Sequence, residues 1–317
     1  MTDLVTFGET MLRLSPPGNE RIESTSAFDV HAAGAESNVA VAANRLGADA
    51  TWLSKLPDSP LGRRVVGELE QYGIDTEVVW SQTGRQGVYY LETGTSPRGT
   101  TVIYDREDAA VTTAEPTEFD AGLIKDAGIF FTSGITPALS ETLRETTLTM
   151  LKTARNAGTT TAMDVNYREK LWSPAKARET LTTLFPGLDV LVIAARDAET
   201  ILEYEGDPRQ LAHQLGSQYD LETVIVTQGE RGALAWHDNV VHDQDAYEAE
   251  TVNPVGSGDA FTGAFLARRL AGDDVGRALE YGAATAALKR TLPGDVALVT
   301  ASDVENILSE RNVLIDR

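Results

Sequence analysis

Cysteine is absent from the 317 residues, and histidine is scarce. The missing thiols exclude a disulfide framework, a thiolate nucleophile and any cysteine-ligated zinc or iron-sulfur site. The four histidines form no H-E-x-x-H motif or other closely spaced ligand set, so we predict structural or surface roles for them. They are His31, His213, His237 and His242.

Long hydrophobic runs are also missing. The longest apolar run, residues 190–195, is far too short to cross a bilayer. The first seven residues show no basic region followed by an apolar stretch, which is the pattern of a secretory signal. We therefore expect a cytoplasmic protein that makes no contact with membranes.

Basic residues are few relative to acidic ones. The 27 Lys and Arg residues stand against 48 Asp and Glu, which gives a formal net charge of −21 and an isoelectric point near 4.5. Such a chain repels nucleic acids and anionic membranes, so neither is expected as a partner. Six of the basic residues are Lys. Because concentrated salt screens the repulsion among excess carboxylates, this composition indicates adaptation to a salt-rich cytoplasm. A disordered acidic chain is excluded, since 42% of the residues are hydrophobic and occur in regular blocks.

Short apolar, β-branched runs alternate with longer helix-like segments, which is the pattern of a parallel sheet covered by crossover helices. The predicted strands are residues 4–7, 51–54, 129–132, 161–165, 190–193 and 223–227, with 233–236 antiparallel at an edge. The predicted helices are residues 36–46, 61–72, 140–156, 174–184, 208–218, 258–270 and 275–289. The length suits one large α/β domain with an insertion.

One stretch, residues 86–110, breaks this alternation with a period of two. The runs VYYLE at 88–92 and TTVIYD at 100–105 flank a turn region at residues 94–99. This pattern predicts a β-hairpin inserted into the α/β framework. Together with residues 11–30, the hairpin is expected to form a small sheet over one end of the main one.

The segment NPVGSGDAFTG, residues 253–263, runs from a glycine-rich turn directly into a helix. The backbone amides of Gly256, Ser257 and Gly258 are expected to converge at the positive end of that helix, where an anion is stabilised. Asp259 falls in the first helical turn and has two interpretations, a carboxylate favoured by the helix dipole or a general base beside a phosphate site. Neither the P-loop motif nor the G-x-G-x-x-G dinucleotide motif is present, since Phe261 replaces the third glycine of the latter.

A second segment, HAAGAESN at residues 31–38, opens the first long helix. Gly34 lets a ligand approach the backbone closely, and the Asn38 amide offers both a donor and an acceptor at the helix start. The alternative is that Ala33, Gly34 and Ala35 are small residues that allow close helix packing. Taken alone, the segment favours the packing interpretation.

These segments, with the glycines of VTQGERG at residues 226–232, resemble the PfkB (ribokinase-like) family of sugar kinases along essentially the whole chain. The runs TFGETMLRLSPP at 6–17, DVNYR at 164–168 and LPGDV at 292–296 are similar to the 2-keto-3-deoxygluconate kinase branch. With the acidic composition, the resemblance implies a haloarchaeal member. It implies a ribokinase-like three-layer α/β/α domain spanning residues 1–317, with a mostly parallel central sheet and a small β-sheet lid formed by roughly 11–30 and 86–110.

The resemblance also implies an activity, the ATP-dependent phosphorylation of 2-keto-3-deoxygluconate at its terminal C6 hydroxyl. Asp259 corresponds to the catalytic base, and residues 256–258 to the anion hole for the transferring phosphoryl group. Nucleotide contacts are expected at Thr227, Gly229, Gly232, Gly256 and Gly258. Magnesium is expected to arrive with ATP, and a monovalent cation such as K⁺ is a further expectation. The usual Asp near the phosphate and cation region is Asn253 here, and the N-x-x-E motif is missing at residues 195–199.

Recognition of a sugar acid requires a cation for its carboxylate, and the planar donor fork of Arg suits that group. Arg106, at the end of the inserted hairpin, and Arg168, just past a buried strand, are the candidates. The alternatives are a solvated charge cluster for Arg106 and ordinary packing for the apolar and aromatic positions. The substrate positions implied by the resemblance are Gly34, Asn38, Tyr89, Tyr104, Arg106, Ile135, Arg168 and Asp295.

The sequence leaves open which epimer is the substrate and which of three functions the protein has. The galactonate epimer is as compatible with the motifs as the gluconate epimer. A kinase of the same family acting on a neutral sugar such as fructose or ribose, and a non-catalytic sugar-binding protein with this fold, are the competing functions. We also expect a homo-oligomer, because an exposed lid edge invites pairing between subunits.

Overall fold

The computed structural model describes residues 2–94 and 97–315, with side chains as far as residue 309. Its strands are β1 Leu4–Phe7, β2 Met11–Ser15, β3 Asp29–Ala33, β4 Ala50–Pro57, β5 Asp75–Ser81, β6 Val88–Glu92, β7 Thr101–Asp105, β8 Ile129–Ser133, β9 Thr160–Asp164, β10 Val190–Ala194, β11 Thr223–Thr227, β12 Ala233–His237 and β13 Val240–Gln244. Its helices are α1 Ala35–Arg45, α2 Pro60–Gln71, α3 Ala121–Lys125, α4 Glu141–Ala157, α5 Pro174–Leu184, α6 Ala195–Leu202, α7 Pro208–Tyr219, α8 Ser257–Leu270, α9 Val275–Arg290 and α10 Ala301–Ile315.

The main sheet has nine strands in the order β13-β12-β11-β10-β9-β8-β1-β4-β5. All neighbouring pairs from β11 to β5 are parallel, whereas β12 and β13 pair antiparallel. The predicted strands and the mostly parallel sheet are therefore confirmed. The position of residues 233–236 at an edge was wrong, because β13 lies outside β12. Asp238 and Asn239 both have positive φ, and this tight turn returns the chain as a second antiparallel strand.

Helices cover both faces of this sheet. Side chains alternate across a strand, so Leu4 packs into one hydrophobic cluster and Val5 into the other. The first cluster lies under α1, α2, α8 and α9, and the second under α4, α5 and α7. The seven predicted helices are confirmed, and five begin directly after a polar side chain that caps the first turn. These caps are Ser59, Ser140, Ser173, Asp207 and Asp274.

A second, four-stranded sheet has the order β3-β2-β6-β7. Its two outer pairs are antiparallel and the central pair, β2 with β6, is parallel. The strands come from the segments expected to form a small sheet, although β3 continues to Ala33, beyond the expected limit at residue 30. The predicted turn at residues 94–99 includes residues 95 and 96, which lie outside the described part of the chain.

The carboxyl ends of β1, β9, β10 and β11 meet at one edge of the main sheet, because these strands are parallel. In sheets of this kind, ligands bind in the crevice outside those ends. Within the described residues, every helix is too short or too polar to cross a bilayer.

Candidate active site

A cavity of about 440 Å³ lies at this edge, with walls from both sheets. The second sheet contributes side chains of β6 and β7, and the main domain contributes the loop after β9 and the start of α8. All eight predicted substrate positions line the cavity: Gly34, Asn38, Tyr89, Tyr104, Arg106, Ile135, Arg168 and Asp295. Residues 256–259 and Thr227 line it too, whereas Gly229 and Gly232 lie outside its lining, in the turn between β11 and β12.

The loop that enters α8 has the shape expected of an anion site. Gly256 precedes the helix with φ of 80° and provides no side-chain cap. The N–H of Ser257 donates to the oxygen of Pro254 at 3.3 Å, and the next N–H groups, those of Gly258 and Asp259, are left for a ligand. A Cβ at Gly256 would collide with the backbone oxygen of Asp295. Glycine is therefore required here both by the positive φ and by the close approach of the segment that contains Asp295.

Asp259 projects from the first turn of α8 into the cavity. Its Oδ2 accepts a hydrogen bond of 2.7 Å from Nδ2 of Asn38, so the α1 helix fixes the carboxylate from across the site. Burial raises the pKa of Asp259 to about 6, while the Asn38 hydrogen bond and the nearby Arg168 charge lower it. The side chain is thus mostly a carboxylate at pH 7, and its pKa is close enough to 7 for it to accept a proton during the reaction.

Two further carboxylates, Asp164 and Asp197, line the cavity on the side of β9 and α6. Burial raises the pKa of Asp164 to about 7, with further contributions from the Asp259 and Asp197 charges. The positive charge of Arg168 lowers the pKa of Asp164, Asp197 and Asp259. Among residues 2–94 and 97–309, no group of three or more His, Cys, Asp or Glu side chains is placed to hold a metal ion.

Comparison with known proteins gives a consistent result. Residues 1–301 match the family described as pfkB family carbohydrate kinase. A relative named 2-dehydro-3-deoxygalactonokinase, from Haloferax volcanii, is 59% identical, with 99% of each chain covered. The chain belongs to the pfkB family of carbohydrate kinases.

Solved structures agree with this assignment. The 2-dehydro-3-deoxygluconokinase of Thermotoga maritima superimposes with a TM-score of 0.92 at 35% identity, covering 97% of this chain and 98% of that one. The fructokinase of Xylella fastidiosa, solved with bound ATP, superimposes with a TM-score of 0.85, covering 98% and 100%. At 21% identity this second likeness concerns the fold alone. The ribokinase-like α/β fold of this kinase is confirmed.

Arg106 has a partner that the sequence did not reveal. Its Nη2 donates a hydrogen bond to Oε2 of Glu9, which follows β1, and both side chains are largely buried. Burial raises the pKa of Glu9, and the Arg106 charge opposes that rise. The alternative of a solvated charge cluster is therefore wrong for Arg106. The buried Nε of Arg106 and Oε1 of Glu9 have no hydrogen-bond partner among the described residues.

Asp295 and Tyr89 also contact each other. Tyr89 donates a hydrogen bond of 3.2 Å to Oδ2 of Asp295, and Nη1 of Arg13 donates one of 2.7 Å to Oδ1. Arg13 lies on β2, so this buried triad joins the second sheet to the loop after α9. Sequence reasoning missed Arg13 because its partner is 282 positions away.

Glu36 is a second buried acid that the sequence reasoning passed over. Its Oε1 accepts hydrogen bonds from the hydroxyl of Ser133 at 2.6 Å and from that of Thr136 at 2.7 Å. Burial raises the pKa of Glu36, and these hydrogen bonds oppose the rise. A charged residue among the small residues at 33–37 was the available signal. Gly34 is also required by close packing, but against the loop after β1 and not against a helix, since a Cβ there would collide with the Glu9 backbone.

Proposed function

We propose that this kinase transfers the γ-phosphoryl group of ATP to the C6 hydroxyl of a 2-keto-3-deoxy sugar acid. The observation that carries the proposal is the Asp259 carboxylate, held by Asn38 at the positive end of α8 in a cavity that also contains Arg106 and Arg168. The names of the Haloferax and Thermotoga relatives support this substrate class, since "2-dehydro" and "2-keto" describe the same group. The 59% identity of the Haloferax relative favours the galactonate epimer as the better substrate.

In this reaction, Asp259 accepts the proton of the C6 hydroxyl as the oxygen attacks the γ-phosphorus. The bond between that phosphorus and the β,γ-bridging oxygen breaks, and ADP leaves with the electron pair. Transfer of a phosphoryl group depends chiefly on positioning and on donors directed at the developing charge. Within the expected anion hole at residues 256–258, the backbone N–H groups of Gly256 and Gly258 fit this demand because they lie at the α8 start beside Asp259, whereas the N–H of Ser257 donates to the oxygen of Pro254.

For the nucleotide, Thr227 lies at the cavity wall, and the turn with Gly229 and Gly232 is the proposed continuation of the binding surface. The site offers hard oxygen donors of the kind that Mg²⁺ prefers, and Asp164 and Asp197 are the residues that would face it. When bound with ATP, Mg²⁺ neutralises phosphate charge. The residues of this chain then hold the two substrates in line and exclude water.

For the sugar acid, we propose that Arg106 and Arg168 contact opposite ends of the substrate. Arg168 is near enough to Asp259 to lower its pKa, so it lies toward the end where the phosphoryl group is transferred. The carboxylate and the C6 hydroxyl are at opposite ends of the substrate. Arg106, held by Glu9 and stacked beside Tyr104 at 5.5 Å from the ring centre, suits the carboxylate end. The second sheet, which supplies both tyrosines and ends one residue before Arg106, would then act as the lid.

A coupled assay of ADP release tests the proposal with a panel of both 2-keto-3-deoxy epimers, fructose and ribose. We expect turnover of the sugar acids, with the galactonate epimer preferred, and little turnover of the neutral sugars. Faster turnover of fructose or ribose would instead favour the neutral-sugar kinase. No ADP release with any of the sugars would favour a sugar-binding protein without turnover. The cytoplasmic location and the homo-oligomer remain predictions.

A further inference from the structure

Lys289, in the last turn of α9, is a buried charged side chain that the proposed reaction does not use. It is 0% exposed, although ammonium groups are rarely removed from water without a charged partner. Among the side chains that the structure describes, no carboxylate lies within ion-pairing distance of its Nζ. A chain that has six Lys residues in all has placed one of them inside the fold.

The partners of Nζ are two backbone oxygens. It donates to the carbonyl of Asn253 at 3.3 Å and to that of Leu292 at 3.5 Å. Asn253 begins the loop that leads into the anion-binding start of α8, and Leu292 belongs to the loop after α9 that ends at Asp295. Coordination by carbonyl oxygens is the environment in which proteins hold small hard cations. Here an ammonium attached to the chain itself lies beside two such oxygens.

The loop at residues 253–258 is tied to the same segment at several other points. The backbone N–H of Asn253 donates to the oxygen of Arg290 at 3.0 Å, and its Nδ2 donates to the oxygen of Gly294 at 2.9 Å. Its Oδ1 accepts from the N–H of Val255 at 3.0 Å. The start of the anion-binding loop is therefore held by hydrogen bonds to residues 289–294, and the Lys289 ammonium is one of the donors.

The charge of Lys289 persists at neutral pH. Burial lowers its pKa to about 8, the Asp295 and Asp259 carboxylates raise it, and the Arg13 guanidinium lowers it. Because Asn253 is neutral where the family usually has an Asp, the positive charge is not cancelled within the loop. The carbonyl of Asn253 lies in the region where a monovalent cation was expected, and the Lys289 ammonium beside it would repel a second cation bound there. The residues present do not fit K⁺ at this place.

We propose that the Lys289 ammonium is an internal cation that takes the place of a bound monovalent cation and holds loop 253–258 in its anion-binding shape. Lys289 is then a positioning residue, acting through the backbone of Asn253. The inference rests on the proposed kinase reaction. It implies that potassium affects this enzyme only through the general effect of salt.

The first test uses the wild-type enzyme. KCl is titrated into NaCl at constant total salt, and kcat and the midpoint of thermal unfolding are measured. We expect kcat to vary by less than about twofold, without saturation, and the unfolding midpoint to change smoothly. A saturable activation by K⁺ of fivefold or more would overturn the inference. If no sugar acid is phosphorylated under any condition, the proposed function fails instead, so the two failures are distinguishable.

The second test uses Lys289→Ala and Lys289→Met, with Lys152→Ala on the exposed face of α4 as the matched control. We expect both variants at Lys289 to lose kcat by about tenfold to a hundredfold with less than threefold change in the sugar-acid KM. Ethylammonium should restore part of kcat and of the unfolding midpoint in Lys289→Ala, whereas the bulkier tetramethylammonium should not. A wild-type kcat in Lys289→Met would contradict the proposal. Equal rescue of Lys289→Ala by ethylammonium and tetramethylammonium would also contradict it.

Discussion

Glu9→Gln tests whether Arg106 binds the substrate carboxylate or only stabilises the fold through its pair with Glu9. The substitution keeps the volume of the side chain and removes its negative charge. Glu9 and Arg106 have side chains that are 4% and 11% exposed, so the guanidinium left behind has little access to water. Removing one partner of such a buried pair costs about 3 to 5 kcal/mol, and the amide oxygen of Gln, as a remaining acceptor, favours the lower end.

The expected loss can be measured by thermal unfolding in concentrated KCl. At about 2 °C per kcal/mol, a destabilisation of about 3 kcal/mol lowers the unfolding midpoint by roughly 6 °C. The sugar acid should then raise the midpoint more in Glu9→Gln than in the wild type, because its carboxylate provides the charge that Arg106 has lost. Asp105→Asn is the matched control, since Asp105 pairs with Arg85 on the surface, where both side chains are nearly half exposed. It should leave the midpoint almost unchanged.

Two results would refute this reasoning in different ways. An unchanged midpoint in Glu9→Gln would mean that the buried pair does not stabilise the fold. A lower midpoint with the same ligand-induced shift as the wild type would mean that Arg106 does not face the substrate carboxylate, and its role would then be structural.

The remaining predictions concern chemistry, selectivity and salt. Asp259→Asn should lower kcat by about 10²- to 10⁴-fold with little change in the sugar-acid KM, and near-wild-type turnover would make Asp259 structural. In the wild type, kcat/KM should fall as the pH drops through about 6, because burial raises the pKa of Asp259 to that value and protonation removes the base; a flat profile down to pH 5 would contradict this. Arg106→Ala should lower kcat/KM for the keto acid by about tenfold to a hundredfold and for a neutral sugar by much less, whereas Arg168→Ala, at the phosphoryl-transfer end, should lower both alike, with part of the loss recovered in Arg168→Lys; a loss selective for the keto acid in Arg168→Ala and not in Arg106→Ala would reverse the two assignments. Circular dichroism across a KCl series should show unfolding on dilution, since the net charge of −21 is then unscreened; equal stability in dilute buffer would make the acidity a solubility feature.

Local sequence signals predicted the features of the fold and site that depend on neighbouring residues. The α8 start was visible because Gly256, Gly258 and Asp259 lie within four positions and belong to one turn and one helix. The parallel strands were visible because both faces of the sheet are covered, which makes each strand a continuous apolar run. By contrast, β5 at the edge and the hairpin partner β13 carry mixed burial patterns, so they lacked that signal.

The features that escaped prediction depend on contacts between distant parts of the chain. Glu9 meets Arg106 across 97 positions, and Lys289 meets Asn253 across 36. From the sequence, a Lys near the end of an Ala-rich helix is interpreted as an ordinary charge favoured by the helix dipole, whereas in the structure its ammonium contacts the loops at Asn253 and Leu292. The Asn38 amide was identified as a donor, but its target, Asp259, became known from the packing of α1 against α8.

The most direct test of the central claim is the structure of the reaction product. The enzyme is incubated with ATP, Mg²⁺ and 2-keto-3-deoxygalactonate in concentrated KCl, and the product is examined by proton-coupled phosphorus NMR. Phosphorylation at C6 places the phosphate on a CH₂ group, so a triplet phosphomonoester signal is predicted, and it should be strongly diminished with Asp259→Asn. A doublet would mean transfer to a secondary hydroxyl, and the absence of any phosphomonoester with either epimer, alongside phosphorylation of fructose or ribose, would contradict the assignment of a sugar-acid kinase.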